Sequence, residues 1–152
     1  MQQYIHYGSE KYEHSLFKDI VNNPHFINKP KYGTGLWASP KDAIFGWIDY
    51  CKKVKAEGSA KTLPSKSFVF SLTPDARLFV IDNQSDLDKL PLLSSELPTS
   101  AINYEEVSKF YDAILVTLEG LLDCSSFPSK KATLLFWDCE SLLVLNKNII
   151  VI

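Results

Sequence analysis

Two carboxylates near the end of the chain, Asp138 and Glu140, stand just ahead of the apolar run SLLVLN. A carboxylate held against a sugar stabilises the positive charge that builds on the ring as a glycosidic bond breaks, the oxocarbenium-like step of glycoside hydrolysis. Glu140 is the first choice for that work. Asp138 would share its face if strand pairing extends that far, and is the lesser alternative. Trp37 and Trp47 could wall a flat ring, since indole offers a large rigid face. Gly8, Gly33 and Gly35 let backbone approach a ligand closely. His6 lies on a short strand, where a lone histidine is more often a packed or surface residue than a functional one. Each candidate has a plainer reading: Glu140 as a strand-end carboxylate in water, Trp37, Trp47 and Trp137 as core, Ser39 as a helix cap.

Residues 29–50, KPKYGTGLWASPKDAIFGWIDY, must position much of this set. Ser39 reads as an N-cap, Pro40 as the first helical residue and Asp42 as part of a capping box. From there Ala43, Ile44, Trp47, Ile48, Cys51 and Val54 recur at helical spacing until Gly58. That puts Trp37 in the turn before a helix and Trp47 within it. Tyr4, His6 and Gly8 alternate with Ile5 and Tyr7 as a first strand. Ser9 can cap a helix carrying Leu16, Phe17, Ile20 and Val21, closed by turn residues over 22–30. Residues 57–66 form a polar connection. SFVFSL and 78–81 follow as strands, 86–90 as a short helix stopped by Pro91, and Asn103 with Glu106 caps another ending near Phe110. Residues 113–118 are strand-like and 119–129 a loop. Apolar runs at 133–137, 141–145 and 149–152 finish the chain, with hairpin character at 146–148. Helices early and strands later imply an α+β fold, with a mostly antiparallel sheet and helices packed at its side. The turn at Gly33 and Gly35 fits neither a dinucleotide fingerprint nor a P-loop.

A chain of 152 residues, 45% hydrophobic, can fill one core, so residues 1–152 are expected to form a single domain. No apolar run reaches the roughly 18 residues that would cross a membrane, and the first residues lack a basic-then-apolar leader, so a cytoplasmic protein with no membrane partner is expected. Cys51, Cys124 and Cys139 form no C-x-x-C pair and read as reduced thiols, mostly buried. No metal site is read from the sequence. Residues 29–66 hold eight lysines against Asp42, Asp49 and Glu57, a local +5 in a chain of net charge −2. That excess is either a rim for a phosphate-bearing ligand or nucleic acid, or an ordinary solvated helix face.

The order of these pieces resembles the ADP-ribosyltransferase superfamily, the group of diphtheria-type toxins and poly(ADP-ribose) polymerases. His6-Tyr7-Gly8-Ser9 is similar to the family's first motif, YGTGLWASPKDAIFGW to its second, and Glu140 opening a strand to its third. Tyr7 stands where glycine commonly follows the histidine, so either Tyr7 supplies backbone contacts or the register shifts and Tyr7 takes the histidine's place. Tryptophans replace both usual tyrosines. The resemblance implies split antiparallel sheets with helices at the side, and an NAD-dependent ADP-ribosyltransferase that uses NAD as substrate, releases nicotinamide and needs no metal. It implies Glu140 as the catalytic residue, also holding the ribose 2′-hydroxyl; His6 on the adenosine ribose; Trp37 and Trp47 on nicotinamide; and Tyr7, Gly8 and Gly35 lending backbone. The acceptor is an unidentified protein or nucleic acid. By analogy of size the chain is compatible with a bacterial or phage toxin, with an inhibitory antitoxin as partner. The alternatives are a catalytically silent module that binds a nucleotide or a protein, and an RNA 2′-phosphotransferase-like enzyme. The latter is less attractive with Arg77 as the sole arginine.

Overall fold

Short apolar runs build most of the sheet, alternating plainly over 67–72 and buried throughout over 141–144. In the computed structural model, which describes residues 1–22, 33–93, 101–125, 132–134 and 137–152, β1 (Gln3–Tyr7) buries Tyr4, and β3 (Ser67–Leu72) buries Phe68, Phe70 and Leu72 on one face. Seven strands form a mixed sheet in the order β4-β5-β6-β2-β1-β3-β7, with β2 Leu36–Pro40, β4 Leu78–Ile81, β5 Ala113–Val116, β6 Ser141–Val144 and β7 Ile150–Val151. β4 and β5 run parallel, and every other pairing is antiparallel. Four helices accompany the strands among the described residues: α1 (Trp47–Ala56), α2 (Gln84–Asp88), α3 (Tyr104–Val107) and α4 (Leu118–Cys124). The expected α+β class stands as a mixed sheet with helices. No helix in the described residues is long and apolar enough to cross a membrane.

The sheet changes character at β2. Its first residues pair with β6 (Leu36 with Val144, Trp37 with Leu143, Ala38 with Leu142), and its last pair with β1 (Ser39 with Ile5, Pro40 with Tyr4). Two hydrophobic clusters follow the division. One, around Ile81, Ile114, Trp137 and Leu143, lies under the helices; the other, around Tyr4, Leu36, Phe70 and Leu142, lies under β1 and β3.

Several local expectations change. The helix expected from Pro40 begins instead at Trp47, because Ser39 and Pro40 are held in the ladder against β1. Gly46 precedes the helix, with its N–H donated to Asp49 Oδ2 at 2.9 Å, and Gly58 ends the run as expected, at φ +96. The helix expected after Ser9 is only a 3-10 turn, His14–Leu16. Lys18 exchanges both backbone hydrogen bonds with Gly35 at 3.0 Å, which keeps this segment extended, and Ser9 Oγ donates to the Lys11 carbonyl instead of capping. α4 replaces the first part of the loop expected over 119–129, with Thr117 Oγ1 accepting the Gly120 N–H. Residues 146–148 make no hairpin, since β6 pairs with β2 and β5 while β7 pairs with β3; a 3-10 turn, Lys147–Ile149, joins them. Thr133, Leu134 and Trp137 lie in no strand, and residues 135–136 of that expected run, like residues 23–30 of the turn expected over 22–30, are outside the described residues.

Candidate functional site

Beyond the Ile5–Ser39 pair, β1 and β2 no longer exchange ladder bonds. The His6 ring takes over the connection. Its Nδ1 lies 2.7 Å from the Trp37 carbonyl oxygen. A carbonyl can only accept, so Nδ1 carries the proton and, in the neutral ring, Nε2 is left as an acceptor. Phe68 braces the imidazole with ring centroids 5.1 Å apart.

A cavity of about 270 Å3 opens where the strands part, lined by Ile5, His6 and Tyr7 of β1, Trp37, Ala38 and Ser39 of β2, Trp47 of α1, and Asp138, Cys139 and Ser141 at the start of β6. Three stretches far apart in sequence therefore meet at one place. Trp37 is only half wall. Its ring packs edge-on against Trp137, centroids 4.8 Å apart, and its buried Nε1 has no hydrogen-bond partner among the described residues, so what it can offer a ligand is a face. Trp137 is core, as expected, at 1% exposed. The three cysteines stand as thiols and not in disulfides; Cys51 is half-buried and Cys124 and Cys139 buried. Burial pushes the Cys139 thiol up to about 11, which keeps it protonated and a poor nucleophile at neutral pH.

Glu140 stands apart from this lining. Its side chain is 8% exposed, with Oε2 accepting the Phe45 N–H at 2.7 Å, while its own N–H donates to the Phe45 carbonyl at 2.9 Å. Ser39 Oγ–H donates to the Glu140 carbonyl at 3.0 Å and accepts the Trp47 N–H at 2.9 Å. Ser39 thus does meet the helix start, but from a strand, through space, and with Glu140 as its other partner. Together these bonds fix residues 40–46 and the first turn of α1, and so the position of Trp47. β6 begins only at Ser141, so strand alternation does not carry Asp138 and Glu140 to one face. Asp138 lines the cavity, and Glu140 braces the loop behind it.

The glycines divide as well. Gly35, at φ +62, lies against β6 so closely that a Cβ would sit 2.1 Å from the Val144 carbonyl oxygen. Packing requires that glycine, and neither cavity is lined by it. Gly8 lines a second, larger hollow of about 600 Å3 between the end of β1, the half-buried side of α1 that carries Trp47, Tyr50, Cys51 and Val54, and residues 59–66. Tyr7 and Trp47 are common to both hollows. Burial, then the nearby Asp49 and Cys51, raises the Tyr7 phenol above its ordinary value, so it is a neutral hydroxyl at physiological pH. Sequence reasoning missed Tyr50, Cys139 and Ser141 in these walls. Tyr50 had a signal, since it lies three residues after Trp47 on the same helix, where side chains are neighbours. Among the described residues no group of three or more His, Cys, Asp or Glu side chains could hold a metal ion. Compared with protein-family models, curated proteins and solved structures, the chain matches none of them.

Proposed function

We propose that the protein is an NAD-dependent ADP-ribosyltransferase, binding NAD across the cavity between β1 and β2 and releasing nicotinamide. One observation carries this reading. The three motif-bearing segments lie on adjacent strands β1, β2 and β6, with His6, Trp37, Trp47 and Asp138 around one small cavity. His6, with Nδ1 engaged by Trp37, keeps Nε2 for a ribose hydroxyl. The tryptophans supply the flat wall for nicotinamide. A carboxylate is needed for the oxocarbenium-like ribose. Glu140 takes that role once its side chain turns from the Phe45 N–H, and Asp138 is the alternative already at the wall.

A second reading, a module that binds NAD without turning it over, draws on the engagement of Glu140 with Phe45. The two separate experimentally. Purified protein is incubated with labelled NAD and lysate, and nicotinamide release and label transfer are measured beside a tryptophan-fluorescence titration. Release and a labelled acceptor support the transferase, saturable quenching without release supports the silent module, and the absence of both release and quenching removes NAD from the account.

A further inference from the structure

The larger hollow is left over by that assignment. At about 600 Å3 it lies within the range of roughly 300–1,000 Å3 usual for ligand sites, and it meets the smaller cavity along Tyr7 and Trp47. Its chemistry differs from that of the small cavity. Aromatic groups form one side: Tyr7, Trp47 and Tyr50, the last two with ring centroids 5.5 Å apart and planes 33° from parallel. Lys61 and Lys66 form the other, on residues 59–66, whereas the exposed lysines of α1, Lys52, Lys53 and Lys55, are not part of the lining. The acidic groups nearby are few. Glu10 reaches Lys66 at 3.5 Å on the surface, Asp49 is engaged by the Gly46 N–H, and Glu57 lies 4.0 Å from Lys53. Aromatic faces beside a lysine rim make a platform for stacked bases with phosphates held alongside.

We infer that this hollow binds a single-stranded nucleic-acid segment, one base against Trp47 and Tyr50 and the flanking phosphates at Lys61 and Lys66. The inference rests on the function proposed above for its consequence, that the bound strand is the acceptor. In that transfer the bond from ribose C1′ to nicotinamide breaks, its electron pair going to the ring nitrogen. A nucleophilic oxygen or nitrogen of the strand forms the new bond to C1′, and the proton it releases passes to Asp138. Asp138 is placed for this, lining the small cavity near Tyr50 of the large one, whose phenol is raised by burial and then by the Asp138 charge.

The test uses the full chain with fluorescein-labelled single-stranded RNA and DNA ten-mers, read by anisotropy over a salt series without NAD. Saturable binding is expected, weakened about tenfold in a Lys61→Ala/Lys66→Ala double variant, whose salt slope is shallower by about 1.4 for two lost phosphate contacts. NAD quenching of tryptophan fluorescence should be unchanged in that variant, which also shows that it folds. Comparing the RNA and DNA arms identifies which strand is taken. Absence of saturable binding, or binding indifferent to the two lysines, overturns the inference even if NAD is turned over. Label appearing on protein in nuclease-treated lysate, with none on either oligonucleotide, overturns it as well. Lysine-dependent binding with no NAD turnover supports the site and counts against the transferase alone.

Discussion

Replacing Glu140 separates the structural job seen in its bond to the Phe45 N–H from the catalytic one proposed for it. Its Oε2 accepts a part-buried N–H from Phe45 at 2.7 Å, a short bond to a charged acceptor. Glu140→Ala leaves that donor unpaired, at a cost of about 1–3 kcal/mol. Glu140→Gln keeps an oxygen in place and gives up only the charge, so it should cost roughly 1 kcal/mol, the difference between charged and neutral hydrogen bonds. Catalysis should order the variants differently. A well-placed electrostatic stabiliser is worth about 100- to 1,000-fold in turnover, and glutamine is as uncharged as alanine. Urea unfolding should therefore rank wild type above Gln and Gln above Ala, whereas nicotinamide release should fall about equally, by roughly 100-fold or more, in both. NAD binding should persist in the glutamine variant. Equal destabilisation by Gln and Ala would refute the role given to Phe45. Wild-type release from Glu140→Gln, with release lost in Asp138→Asn, would give the catalytic role to Asp138.

Three further outcomes are expected. His6→Ala should weaken NAD binding by about 1 kcal/mol or more, while Tyr7→Phe is nearly silent in a fluorescence titration; the reverse pattern would shift the first motif by one residue. Gly35→Ala should destabilise the fold by more than about 3 kcal/mol in urea, since it combines a left-handed backbone with a Cβ driven into the Val144 carbonyl, and a small effect would mean that β2 and β6 can part without cost. Asp112, 5% exposed, accepts from Arg77 Nε and Nη2 at 3.0 Å and from Asn146 Nδ2, and the Arg77 guanidinium holds its carboxyl well below the usual range. A carboxyl lowered in the folded state stabilises fully above its unfolded value near 4, and this is lost as pH falls through the folded value. Urea midpoints should accordingly drop below about pH 4 in wild type and change less steeply there in Asp112→Asn.

What the sequence disclosed followed from how local each signal was. SFVFSL alternates and is β3; Asn103 lies three residues before Glu106 and accepts its N–H at 3.0 Å. Both are settled within a few residues. Ser39 misled because the cap signature is local while its partners are not: Ile5 in the ladder and Glu140 at its hydroxyl are set by tertiary pairing. Leu16, Phe17 and Ile20 misled similarly, since helical spacing also suits an extended segment that gives Leu16 and Phe17 to one core cluster and Ile20 to the other. At the site, His6 was legible as a strand residue, whereas Trp37, expected in a turn, lies on β2, and Trp47, expected inside the helix, is its first residue. The exchange of places between Asp138 and Glu140 was not legible, because it depends on where β6 begins, and nothing in WDCES marks Ser141 as that point.

The switch of partners along β2 also bears on how the chain must be made. Leu36–Ala38 wait for Leu142–Val144, more than a hundred residues downstream, before their ladder can close. Pairings so distant in sequence form slowly, because the loop entropy is lost before any contact repays it. A nascent chain halted before residue 138 would carry His6 and both site tryptophans but lack the cavity's third side. It would also leave the apolar flanks of β2 and β5 bare, a surface suited to chaperone capture or edge-to-edge association. Whatever activity the cavity supports can begin only once β6 has been translated and seated, so premature termination yields an inert, aggregation-prone product and not a partly active one.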